Sequence, residues 1–131
     1  MVHAGLHPAK ALPSQSQMEL CWIRDAFHSY PQPYFENKCI ITGHTITFTL
    51  PGVSPGQIAQ GPGWLDIDTG GYHPRSGWLT ALDYDHGLVY QVNTHTRAKR
   101  MTTLESATVK VDPMAVKARH ARKRQKAAMS Q

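Results

Sequence analysis

The sequence predicts an α+β fold, a mixed architecture in which short strands outnumber helices. Three observations carry that expectation. Nine prolines and ten glycines are spread through 131 residues of modest hydrophobicity, which implies many turns and short elements. One stretch, residues 19–29, repeats apolar side chains at helical spacing. Another, residues 78–92, alternates apolar and polar positions about a glycine-ended turn, the pattern of a β-hairpin.

Taken in order, residues 8–18 combine two prolines, two serines and two glutamines and form a connecting loop. In 19–29, Leu20, Ile23 and Phe27 share one helical face, with Trp22 and Ala26 beside them. Glu19, Arg24, Asp25 and His28 fill the polar positions, and Pro31 and Pro33 end the helix. Within 38–42, Cys39-Ile40-Ile41 is a short apolar run bounded by Asn37 and Gly43, which suits a strand buried on both faces. Gly43-His44-Thr45 follows at its C-terminal end, where ligand sites gather in crossover-connected sheets. Residues 51–63, with four glycines and three prolines, are expected to be a loop. A strand over 64–69, a Gly70-Gly71 turn and the hairpin 78–84 with 88–92, joined by Asp85-His86-Gly87, complete the patterned part. Beyond Thr96 the periodicity fades, and Asp112-Pro113 opens a marginal basic helix to about Ala128.

Charge divides the chain at the same place. Residues 1–96 carry a formal charge of −3 and residues 97–131 carry +8. The expected organisation is therefore a folded unit over 1–96 and a basic tail over 97–131, disordered or marginally helical. Cys21 and Cys39 form no C-x-x-C unit and follow no apolar signal segment, which favours a reduced, cytoplasmic setting. No run approaches the roughly 18 apolar residues of a membrane span.

Three stretches carry a resemblance. Val2-His3-Ala4-Gly5-Leu6 is followed by Pro8, Leu12 and Leu20-Cys21-Trp22-Ile23-Arg24-Asp25 to Phe27. Ile40-Ile41-Thr42-Gly43-His44-Thr45 comes next, and then Ile67-Asp68-Thr69-Gly70 with Gly77-Trp78-Leu79-Thr80-Ala81-Leu82. In this order and spacing they resemble the C-terminal half of the calcineurin-like metallophosphoesterases of serine/threonine protein phosphatase type. The resemblance implies part of an α/β/β/α sandwich and a metal-dependent phosphoester hydrolase acting on phosphorylated protein. Diadenosine tetraphosphatases share the motifs, so a nucleotide substrate stays open. It also implies that His3 and His44 ligate one manganese-, iron- or zinc-class ion of a dinuclear centre, consistent with imidazole as a ligand of such ions. Tyr72 and Arg75 would lie near the active-site rim, where Arg75 could meet phosphate.

Two departures qualify the resemblance. Ile46 stands where the family usually has proline. The family's D-x-H, G-D-x-x-D-R-G and G-N-H-[ED] motifs precede V-H-A-G and have no counterpart here. The chain is accordingly expected to be inactive alone, with its start mis-assigned, frameshifted or shortened.

Among the remaining side chains, His7, His28, His73, His86, His95 and His120 share no spacing and are expected at the surface or in turns. Asp66 and Asp68 fall on one strand face by alternation, with Asp68 structural. Lys117, Arg119, Arg122, Lys123, Arg124 and Lys126 leave a non-catalytic alternative, a module contacting nucleic acid or another anionic surface. No aromatic residue interleaves them for base stacking.

Overall fold

A computed structural model describes residues 1–130. The fold is α+β. After a short 3-10 turn at Leu12–Ser14 come helices α1 (Gln17–Trp22) and α2 (Asp25–His28), strand β1 (Ile40–Thr42) and a second 3-10 turn at Thr47–Thr49. Strands β2 (Ile58–Gly61), β3 (Trp64–Asp66), β4 (Trp78–Asp83), β5 (Leu88–Asn93) and β6 (Lys99–Thr103) follow. Helix α3 (Leu104–Ala107), strand β7 (Thr108–Lys110) and helix α4 (Pro113–Met129) end the described chain.

The strands form two sheets. One has the order β1-β3-β2-β7, with β1 parallel to β3, β2 antiparallel to β3 and β7 parallel to β2. The other is the antiparallel meander β4-β5-β6. Side-chain alternation makes the first sheet a middle layer. Ala59 and Trp64 point into a cluster with Leu6, Phe27, Val111 and Val116 beneath the helices. Ile58 and Leu65 point the other way, against Val89 and Ala107 of the meander side. The order is helices, mixed sheet, meander.

The single helix expected over 19–29 is two. Ser16 and Glu19 form a reciprocal capping box that starts α1. At Arg24 the backbone leaves helical geometry, with φ −134° and ψ −100°. The break lets Leu20 and Ile23 pack on the core that holds Phe27. The carbonyl of Leu20, left free near the end of α1, accepts from Ala4 N at 2.8 Å.

Three further expectations are corrected. Residues 51–63 are not all loop, because β2 and β3 make a hairpin through Pro62-Gly63, where Gly63 takes φ 71°. The strand expected over 64–69 stops at Asp66, whose Oδ1 turns back to accept from Asp68 N at 3.1 Å. The segment expected as a disordered or marginal tail adds an edge strand to each sheet, and Val111 and Val116 sit in the core at 5% and 2% exposure. The basic residues beyond them lie on a helix anchored at its first half. Asp112 caps it through Met114 N at 2.9 Å, as Asp112-Pro113 predicted.

His28, expected at the surface, is fully buried. Its ring packs edge-on against Trp64 with centroids 4.8 Å apart, its Nδ1 lies 3.0 Å from the Arg24 carbonyl, and its Nε2 lies 3.5 Å from Asp66 Oδ2. That last distance falls short of a formed hydrogen bond, and both atoms lack another partner among the described residues. Asp66 and Asp68 are thus divided: one is buried against His28, and the other accepts from Gly70 N at 3.1 Å.

Candidate metal-ligand pair

Main-chain geometry brings the first residues to the end of β1. Val2 N donates to the Ile41 carbonyl at 3.1 Å, and Gly43 N donates to the His3 carbonyl at 2.9 Å. Residues 2–3 thereby extend the mixed sheet beyond β1, and His3 lies level with the turn that leaves it. That turn is tight. Thr45 N donates to the Gly43 carbonyl at 2.7 Å, and His44 between them adopts φ 67°. A non-glycine residue in the left-handed region is uncommon, although histidine is among those that tolerate it.

The turn aims the His44 ring at His3. His3 Nε2 and His44 Nδ1 are 3.2 Å apart, and the ring centroids are 4.9 Å apart at 55°. Trp22, at the end of α1, meets the His44 ring edge-on with centroids 5.5 Å apart. Arg24 supports the turn from behind, its Nη1 donating to the His44 carbonyl at 3.2 Å and to Thr45 Oγ1 at 3.3 Å. The break between α1 and α2 therefore does two jobs. It keeps both helices on the core and delivers a guanidinium to the backbone of His44.

Electrostatics favour the neutral, ligand form of this ring. Burial pushes the His44 pKa down, and the charges of Arg24 and His3 push it further, against the opposing effects of Asp68 and the Trp22 backbone. His44 Nε2 is buried and makes no well-formed hydrogen bond. The two facing nitrogens suit either a shared proton or a shared ion. With ligand bonds of about 2.05 Å, nitrogens this far apart subtend roughly 100° at an ion, between octahedral and tetrahedral angles. His3 and His44 thus fit as two neighbouring ligands of one ion. Among the described residues no group of three or more His, Cys, Asp or Glu converges in the same way.

Tyr72 and Arg75 are not joined to the pair by any hydrogen bond or ring contact among the described residues. The Arg75 guanidinium lies 4.9 Å from the centroid of Phe48, and Tyr72 is 78% exposed. Arg24 is the neighbour of the pair that sequence reasoning passed over, because it stood as one polar position on a helix. Its only signal was its place in the Trp22-Ile23-Arg24 motif. Among the described residues no helix is long and apolar enough to cross a membrane. No protein-family model matches the chain, and no curated protein and no solved structure matches it either.

Proposed function

We infer that this chain supplies the histidine side of the metal centre of a phosphoester hydrolase of serine/threonine protein phosphatase type. The observation that carries the reading is the approach of two histidines 41 residues apart to 3.2 Å at neighbouring strand ends. Motif order suggests the class, and the local geometry is consistent with three of the motif residues. Gly43 donates to the His3 carbonyl, His44 takes the left-handed turn, and Gly5 lets the Phe27 ring approach the chain just after His3.

An ion held by this pair would polarise a phosphoryl oxygen and activate water. The chain's own residues have narrower tasks. His3 and His44 would hold the ion from the edge of the sheet, and Arg24 fixes the turn at His44 through its carbonyl. Trp22 shields one side of the ring from solvent. The carboxylate and asparagine ligands of the family have no counterpart in these 131 residues, so turnover needs ligands from another segment or chain.

The test is a Mn2+ titration followed by the electron paramagnetic resonance of the free ion. Binding by the wild-type protein and its loss in both His3→Ala and His44→Ala supports the reading, with p-nitrophenyl phosphate hydrolysis by the chain alone expected at background. Equal Mn2+ uptake by all three proteins would refute it.

A further inference from the structure

The cleft between α2 and α4 holds a second feature that needs no metal. Helix α4 buries Val116, and its next turns carry Arg119 and Lys123 along the same side of the helix. They meet Arg24 across a cavity of about 260 Å³ that Thr45 and Thr49 also line. Among the described residues none of these three cations has a carboxylate within ion-pair distance. The one acid in the cleft, Asp25, is already engaged by His120 Nδ1 at 2.5 Å.

We propose that this cleft is a binding site for a phosphate-class oxyanion, with Arg24, Arg119 and Lys123 as its cationic walls and Thr45, whose Oγ1 accepts from Arg24 and keeps its own hydrogen, as a hydroxyl donor. Convergence distinguishes it from the rest of the basic helix. Lys117 and Arg122 share the same helix but do not line the cavity. Two guanidiniums offer the forked donors that match phosphate oxygens, and the lysine adds a mobile point charge. Leu50 and Val116 form an apolar wall that concentrates the field of the three charges. Arg24 is preorganised, since Nη1 is tied to the His44 carbonyl and Thr45 Oγ1, while among the described residues the rest of the fork makes no hydrogen bond. A bound anion would therefore touch the same arginine that steadies His44. The site stands without the metal reading, because its charges come from different side chains.

The experiment is calorimetric titration of the 131-residue protein with inorganic phosphate at fixed ionic strength in EDTA, which removes any ion at His3 and His44. Saturable binding at one site per chain is expected. It should weaken at least about tenfold in Arg119→Gln/Lys123→Gln, the loss set by one or more charge-assisted hydrogen bonds. Lys117→Gln/Arg122→Gln removes the same charge outside the cleft and should bind as the wild type does. Lys123→Glu, at an exposed position, gives the same direction of effect should the double variant fold poorly. Absence of saturable binding would overturn the proposal. Equal loss in both double variants would do so too, assigning the affinity to diffuse charge along α4 that suits an anionic polymer.

Discussion

The buried Asp66 should make the fold less stable as pH rises toward neutrality. Its carboxyl is fully buried, and burial raises its pKa from 3.8 to about 6 against the opposing influence of the His28 ring 3.5 Å away. Over that interval the folded protein keeps a proton that the unfolded chain has released. The folded value is the higher one, so the stabilisation is fully present below about 3.8 and lost as pH passes about 6. The difference between 3.8 and about 6, at roughly 1.36 kcal/mol per tenfold change in proton affinity, gives about 3 kcal/mol in full. Urea denaturation of wild type and Asp66→Asn across this range measures it, because asparagine keeps the shape and cannot ionise. Taking the difference between the two proteins cancels other groups. Chief among them is Glu19, held at about 2 by its hydrogen bond to Lys10, whose own contribution is lost as pH falls below 4.5. The wild type should lose about 2 kcal/mol relative to the variant between pH 4 and pH 7, most of the full effect. Parallel pH profiles would refute the reasoning.

Gly5→Ala should destabilise the protein by about 2 kcal/mol in the same denaturation assay. Gly5 has φ 153°, and an added Cβ would lie 2.6 Å from Phe27 Cγ. Ending the chain at residue 96 removes β6, β7, Val111 and Val116, and should abolish cooperative unfolding by circular dichroism. Retention of a sharp transition would show that those elements only decorate the fold. Arg24→Gln, which releases the His44 carbonyl and Thr45 Oγ1, should weaken Mn2+ binding about tenfold, as loss of a supporting contact behind a metal ligand does.

What was legible in the sequence was local. The β4-β5 hairpin follows from alternation and a glycine-ended turn, and the α4 start follows from Asp112-Pro113. What was not legible depended on distant partners. β6 lacked an apolar signal because its inward face is polar: Arg100 Nε donates to Gln91 Oε1 at 2.6 Å, and the guanidinium stacks on Trp78 at 3.9 Å. β2 was hidden among glycines and prolines, since its pairing is supplied from both sides by β3 and β7. His28 carries no local mark of burial, because Asp66 and Trp64 are brought to it by the fold. His3 and His44 were singled out by motif, while Arg24, whose role is a bond to another residue's backbone, was not.

The central claim is that His3 Nε2 and His44 Nδ1 face one ion, and NMR of the histidine rings under substoichiometric Mn2+ tests it most directly. The sequence contains eight histidines, each an independent reporter of where the paramagnetic ion sits. The account predicts that the His3 and His44 ring signals broaden first and together, because dipolar broadening falls steeply with distance from the ion. Broadening that begins at any other histidine, or at only one of the pair, would contradict it.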